Sequence, residues 1–457
     1  VAPYRMDDRT LMRFKPEYRV TAPVVPALDW SAAGGFGAAV EMCNNNGTCR
    51  KLSGGGMCPS YRATRDETHV TRGRANALRL AISGQLGPEA FTSPDMKAAM
   101  DLCVGCKSCR RECPTGVDMA RMKVEFLHHW QARHGLTLKD RLVAYLPRYA
   151  PYASAMRGLL NLRDVLPGAA ALSEAVAGFS ARRTLPRWSK PWSPGARAAV
   201  AADVKGDGRD VVLFADTFNR YFEPENLNAA SRLLAAAGYR LHIPEAGDGG
   251  RPLCCGRTFL AAGLVDEARH EARRSVAALA PLVAAGARVV GLEPSCLLTF
   301  RDEMTALSLG DEAERVAGAA HLVEEVLAAD LAAGNVTLPL VDQRGRVAHL
   351  HGHCHQKAHD AFAPAERLLR RVPGLDVRVV ESSCCGMAGA FGFDASHYDV
   401  SIAMAELALF PALRKAAVGD LVVANGTSCR HQIADGLGRE AVHIVRALDA
   451  VLPVRND

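Results

Sequence analysis

Residues 101–116 read "DLCVGCKSCRRECPTG", four cysteines spaced C-x2-C-x2-C-x3-C and followed by proline. Spacings of two, two and three bring Cys103, Cys106 and Cys109 around one tight loop. Cys113 leaves on a different vector, with Pro114 turning the chain. In a run of this form three thiolates hold one iron–sulfur cluster and the fourth serves the neighbouring cluster. Zinc sites usually come as two separated C-x2-C pairs and need neither the third cysteine nor the Cys-Pro ending. Disulfide frameworks belong to short secreted domains, which a 457-residue chain is not.

A crossing cysteine requires a partner motif, and "EMCNNNGTCRKLSGGGMCPSY" supplies one. Superposed on the first run, Cys43 is the first ligand, Cys49 the third, and Cys58, followed by Pro59, the crossing one. Asn46 stands at the second ligand position, and the Gly-rich "KLSGGG" lengthens the loop before Cys58. The crossing rule then expects Cys103, Cys106, Cys109 and Cys58 to form a complete [4Fe–4S] site. Cys43, Cys49 and Cys113 remain as an incomplete set. Three thiolates suit a [3Fe–4S] cluster, or a [4Fe–4S] cluster with one iron held by water or Asn46. The alternative is that the first motif holds no metal and only Cys58 is used.

Charged residues make up 23% and apolar residues 49%, which is ordinary for a folded protein. The net charge of +6 is spread out, with no Lys/Arg block that argues for nucleic acid. No apolar run reaches the roughly 18 residues of a membrane span. Fourteen cysteines in clustered positions suit metal binding in a reducing, cytoplasmic compartment. Residues 1–39 read as the tail of an upstream domain, so a longer parent polypeptide is expected.

Around the thiols the pattern is helical. "DETHVTRGRANALRLAISG" carries Ala75, Leu78 and Ala81 at helical spacing, and "VDMARMKVEFLHHWQARHG" carries Val117, Met122, Phe126 and Trp130. Residues 40–135 therefore read as a helical cluster domain, with Arg72 and Arg74 as candidates to balance cluster charge. Residues 136–208 read as short helices and a Pro-rich linker. From 209 onward "RDVVLFAD", "ENLNAASRLLAAAGY" and "RLHI" alternate strand, helix and strand, which argues for an α/β layer fold.

This second half reads as a duplication, 209–335 and 336–457. Each part has Cys-Cys-Gly, a long helix, a strand (Val289–Leu292; Leu421–Val423), and a Ser-Cys just past the strand end. Open α/β sheets place their sites there. The second part owns Cys354, Cys384, Cys385 and Cys429, with His353 and His355 nearby, a metal or redox constellation. The first has only Cys254, Cys255 and Cys296, for which a buried structural thiol set is the alternative. The glycines of "GMAGAFGF" (Gly386, Gly389, Gly392) suit close backbone approach beside the Cys pair better than phosphate binding.

Together, the C-x2-C-x2-C-x3-C-P run, "CPSYRATRDETHVTRGRA" and the two Cys-Cys-Gly segments resemble the iron–sulfur subunit of glycolate oxidase and its relatives. Those relatives include the small subunit of anaerobic glycerol-3-phosphate dehydrogenase, the lactate-utilisation iron–sulfur protein and, in the Cys-Cys-Gly half, the Cys-Cys-Gly component of heterodisulfide reductase. The chain also resembles the C-terminal half of fused FAD-linked oxidases of the D-lactate and D-2-hydroxyglutarate dehydrogenase type. The resemblance implies a multidomain fold: an α-helical ferredoxin-like domain, as in the iron–sulfur subunit of succinate dehydrogenase, followed by a duplicated α/β Cys-Cys-Gly domain. Two departures stand out. Asn46 replaces a ligand of the two-cluster relatives, and the first Cys-Cys-Gly segment lacks a leading cysteine.

The resemblance further implies electron relay. A 2-hydroxy acid would reduce FAD on an upstream domain or partner subunit, and this chain would pass electrons to a quinone or cytochrome-type acceptor. No flavin-binding residues are expected in this chain, and no catalytic residue is assigned. A peripheral position at the inner face of the membrane is compatible with that role. The rival readings are an iron–sulfur redox sensor or scaffold, and a heterodisulfide-reductase-like thiol–disulfide reductase.

Overall fold

The structure is a computed structural model that describes residues 20–21, 24–194, 199–200, 207–248 and 250–453. The part of the upstream tail at residues 1–19, and part of the expected linker, lie outside the described residues.

The N-terminal domain is helical. Helices Pro59–Thr64, Thr71–Ile82 and Pro94–Asp101 fill the connection between Cys58 and Cys103, and Met119–His134 closes the domain. Ala75, Leu78, Ala81, Met122 and Phe126 are buried on these helices as expected, whereas Val117 is buried just before Met119–His134 and Trp130 is only half-buried on it. Residues 27–30 are tied to this domain through the buried Glu125. Its carboxylate accepts from Ala27 N (2.7 Å), Leu28 N (3.1 Å) and Trp30 Nε1 (2.9 Å). Four short helices follow, Leu138–Ala144, Leu146–Ala155, Arg157–Leu160 and Ala169–Ala177.

The C-terminal half holds two parallel sheets. The first contains β1 (Ala199–Val200), β2 (Asp210–Phe214), β3 (Arg240–Ile243), β4 (Arg288–Gly291) and β5 (Ala320–Leu322), in the order β1-β3-β2-β4-β5. The second contains β6 (Val347–His351), β7 (Asp376–Val379) and β8 (Leu421–Ala424), in the order β7-β6-β8. The order β7-β6-β8 reproduces the middle of the first sheet, β3-β2-β4.

Strand pleat sorts the core. Side chains along a strand alternate between faces, and β2 sends Val212 and Phe214 into one core while Val211 and Leu213 enter another. The first core joins the N-terminal helices to the first sheet: Leu78 and Phe126 share it with Val212, Phe214 and Val289. The second lies between the sheets, with Leu213 and Val290 on one side and Leu350, Val377 and Val423 on the other. A third, containing Val422, Phe410 and Ile433, covers the outer face of the second sheet. The N-terminal domain is thus packed on the α/β half, and that packing places the thiol loops. No described helix is long and apolar enough to cross a membrane.

Candidate metal centres

The run at 103–113 wraps around a five-residue helix, Ser108–Glu112. Cys109 sits in its first turn and Cys113 caps its end, so their side chains leave in different directions. Cys103, Cys106 and Cys58 are close enough that their charges act on one another or on Cys109. Cys49 senses Cys58 and Cys43. Cys113 Sγ lies 3.3 Å from Thr115 Oγ1, beside the same core as Cys43 and Cys49.

The start of helix Thr71–Ile82 is aimed at these sulfurs. Thr71 N donates to Cys58 Sγ at 3.1 Å and Thr71 Oγ1 lies 2.9 Å from it. The Arg72 N–H donates to Cys49, against the burial that pushes this thiol up to about 11. Helix N-termini carry free N–H groups and positive potential, which suit anionic sulfur. Burial raises the Cys58 thiol; the Thr71 bonds and the charge of the fully buried Arg74, which bonds Ala99 O at 2.8 Å, work against that rise. The Arg72 side chain pairs instead with Glu67 at 3.0 Å. Lys123 donates to Cys103 O at 2.6 Å, and Arg79 to Cys43 O at 2.7 Å.

Asn46 is exposed, and its amide is spent on the loop itself. Its Oδ1 accepts from Thr48 N at 2.9 Å and its Nδ2 donates to Asn44 Oδ1 at 2.6 Å. The Gly-rich insert closes onto helix Ser108–Glu112: Glu112 accepts from Gly56 N at 2.6 Å, and a Cβ on Gly56 would sit 2.4 Å from Ser108 Oγ. Burial raises the thiols of Cys106 and Cys109. Metal binding at such thiols must therefore release protons. The domain fits an iron–sulfur group in donor set and in the N–H groups aimed at it.

In the second sheet all four cysteines lie beyond carboxyl ends of strands. Cys354 opens the helix after β6, Cys384 and Cys385 form the turn after β7, and Cys429 lies in the first turn of Thr427–Leu437 after β8. Their titrations are linked in series, Cys354 to Cys384, Cys384 to Cys385, and Cys385 to Cys429. Bonds from Cys384 push Cys354 and Cys385 toward thiolate, with Cys429 helping at Cys385. Cys384 and Cys429 are raised in exchange, by their bonds to Cys354 and Cys385. Thiolate is the metal-binding form.

His351 joins this group. Ala348 and Leu350 of β6 face the core between the sheets, so the pleat turns His351 to the opposite face. Its Nδ1 meets Ser382 Oγ at 2.9 Å, and its buried ring lies beside Cys385 and favours that thiolate. The donor atoms of His351, Cys385 and Cys429 all lie within 4.8 Å of one another. The two histidines singled out by the sequence are used otherwise. His353 caps the helix by accepting from His355 N at 3.2 Å, and the His355 ring meets Gly105 O at 3.1 Å. The alternation "HLHGH" was the available signal for His351.

The first sheet places Cys254 and Cys255 in a turn and Cys296 in the first turn of Pro294–Arg301, after β4. Its chemistry differs. Asp216 caps the helix after β2, where His353 caps the helix after β6, and Thr217 stands where Cys354 stands. Glu293 occupies the capping position held by Gly426 before Cys429. Against a bond from Cys255, burial and the charges of Asp216 and Glu293 push Cys296 up to about 12. Cys254 is raised by its bond to Cys255 and by burial. Cys255 is raised by its bond to Cys296 and by burial, which outweigh an opposing bond from Cys254. All three thiols of this trio are raised, whereas in the quartet of the second sheet two are raised and two lowered.

The N-terminal loop meets the helix that Cys354 opens and the residues that follow the first Cys-Cys-Gly. Helix Ser108–Glu112 packs against Cys354–Ala358, and the charge of Cys354 acts on Cys106. The buried Lys107 pairs with Glu303 at 2.8 Å and with Asp302. Arg257, directly after Cys-Cys-Gly of the first sheet, pairs with Glu303 and senses both Cys255 and Cys354.

Comparison with known proteins agrees with this organisation. Residues 39–117 match the model of the 4Fe-4S dicluster domain, and residues 348–434 that of the cysteine-rich domain named for Cys-Cys-Gly. The chain is 27% identical over 455 residues to D-2-hydroxyglutarate dehydrogenase of Escherichia coli K12, covering 89% of this chain and 43% of the relative. It is 26% identical over 337 residues to one of the subunits of anaerobic glycerol-3-phosphate dehydrogenase from the same organism, covering 74% and 81%. It is 25% identical over 414 residues to the "Probable glycolate oxidase iron-sulfur subunit" of Bacillus subtilis 168, covering 84% and 87%. The chain spans less than half the length of the D-2-hydroxyglutarate dehydrogenases it matches. With a 4Fe-4S dicluster domain joined to a Cys-Cys-Gly domain, and this similarity along most of its length, the chain is an iron–sulfur relative of the 2-hydroxyacid oxidoreductases.

Proposed function

We propose that this chain is the electron-transfer portion of an FAD-linked 2-hydroxyacid dehydrogenase, accepting electrons from a flavin held on another domain or polypeptide. A quinone or cytochrome-type acceptor would take them onward. In this reading Cys58, Cys103, Cys106 and Cys109 hold a [4Fe–4S] cluster, and Cys43, Cys49 and Cys113 hold a second. Cys354, Cys384, Cys385 and Cys429, with His351 beside them, form a third centre in a lobe duplicated from the first. Cys254, Cys255 and Cys296 stay as structural thiols. Bound iron–sulfur clusters supply one-electron steps, which split the two-electron package of a hydride donor. Thr71 and Arg72 supply N–H groups to the sulfurs, and Arg74 supplies a buried positive charge.

The observation that carries the reading is the packing of helix Ser108–Glu112 against the helix that Cys354 opens, with the His355 ring 3.1 Å from Gly105 O. A loop that holds one redox centre and touches the next makes a path within the protein. Electron paramagnetic resonance of the anaerobically purified chain tests it. The signal of the cluster on Cys103, Cys106 and Cys109 should broaden when the second-sheet centre is paramagnetic, and Cys429→Ser should remove the broadening. Iron confined to the N-terminal domain, with no coupling partner, would refute the path.

A further inference from the structure

No residue from Ala155 through Phe179 is buried, although the segment is ordered into helices Arg157–Leu160, Asn161–Asp164 and Ala169–Ala177. Its large apolar side chains point outward. Met156, Leu159, Val165, Leu166, Leu172 and Val176 are 51–74% exposed. Leu172 and Val176, four residues apart, share one helix face.

The polar residues point the other way. Arg163 donates to Ser180 O (2.8 Å) and Arg183 O (2.7 Å), Asn161 exchanges bonds with Trp188, and Asp164 accepts from Leu185 N (2.9 Å). Glu174 accepts from Ala181 N (2.6 Å). The segment is therefore inside out: its acids and amides hold it to residues 180–188 while its aliphatic groups face away from the protein. A surface helix of a globular protein normally does the reverse. Apolar patches of this kind mark docking surfaces.

The rim identifies the occupant. Asp164 and Glu174 are consumed internally, whereas Arg157, Arg187 and Lys190 are exposed and make no ion pair among the described residues. A second copy docked symmetrically would set these cations against themselves. An anionic lipid surface instead receives aliphatic side chains between headgroups and cations at the phosphate level. We propose that residues 152–178 form an interfacial docking surface for an anionic lipid bilayer, on which the protein lies without spanning it. This rests on the surface chemistry alone, so its failure would leave the electron-transfer reading untouched.

The test is sedimentation of the iron-loaded protein with vesicles. Vesicles of phosphatidylethanolamine and phosphatidylglycerol should pellet it, less so as salt rises, and vesicles of phosphatidylcholine should not. Leu166→Glu with Leu172→Glu, both on exposed positions, should lower the partition at least about tenfold with iron content unchanged. Arg157→Ser with Lys190→Ser should weaken binding to the anionic vesicles. Failure of the wild type to pellet, equal pelleting with both lipids, or no effect of the glutamates would overturn the proposal. So would a dimer in solution, or a flavoprotein complex, that the glutamate pair dissolves while vesicle binding persists.

Discussion

Glu324 is a carboxylic acid in the wrong place for a charge. It is fully buried at the start of helix Val323–Ala333 and faces Gln356, two residues after Cys354, and Asn425, four residues before Cys429. Its Oε1 accepts from Gln356 Nε2 at 2.5 Å and Asn425 Nδ2 at 2.8 Å, and its buried Oε2 has no partner. Burial, aided by the charge of Glu325, lifts it from 4.5 to about 8. The native protein therefore holds a proton that the unfolded chain releases above its own pKa. Stability must fall as pH rises from about 4.5 toward about 8, by about 1.4 kcal/mol per pH unit and about 5 kcal/mol in all. Glu324→Gln keeps the shape and the accepting oxygen but cannot ionise. The variant should match the wild type near the acid end. It should gain on it by roughly 3 kcal/mol between about pH 5.5 and 7.5. Urea unfolding of both proteins under anaerobic conditions, compared pH by pH, isolates this group because every other titration is common to both. Parallel pH profiles, or a variant that loses stability relative to the wild type at alkaline pH, would refute the buried neutral acid.

Three further outcomes are expected. Asn46→Cys should convert a [3Fe–4S] signal in the air-oxidised protein to a [4Fe–4S] centre, since an amide is a far weaker iron ligand than a thiolate; the electron paramagnetic resonance spectrum decides. Cys384→Ser or Cys429→Ser should lower iron content more than Cys254→Ser, as measured by metal analysis, because only the second sheet drives thiols toward thiolate. Gly386→Ala should destabilise by about 1–3 kcal/mol or more in thermal melts, because its φ is 89° and a Cβ would lie 2.2 Å from Ser401 O. Gly256→Ala, with Ala268 O at 3.1 Å, should cost less.

Much of the architecture was legible in the chain. Spacings of two and three residues act within a single loop, so "CVGCKSCRREC" by itself sends Cys113 on a different vector from Cys109; the short helix between them is what the structure adds. Strand and helix periods are equally local. "RDVVLFAD", "ENLNAASRLLAAAGY" and "RLHI" became Asp210–Phe214, Pro224–Ala236 and Arg240–Ile243. The Ser-Cys after a strand stood out because parallel sheets gather sites at that end.

What the tertiary structure decided depends on which faces meet. The contact of the His355 ring with Gly105 O spans 250 residues of chain and exists only because the N-terminal helices share a core with the first sheet. His351 was hidden in a strand pattern, since only the pleat of β6 against the core between the sheets turns it toward Cys385. Glu324 reads as one more surface acid at a helix start until Gln356 and Asn425 close over it. Residues 152–178 show the same limit from the other side. An apolar stripe at helical spacing has one pattern whether it faces a core or faces away. The hydrogen bonds of Asn161, Arg163, Asp164 and Glu174 to residues 180–188 turned this one outward.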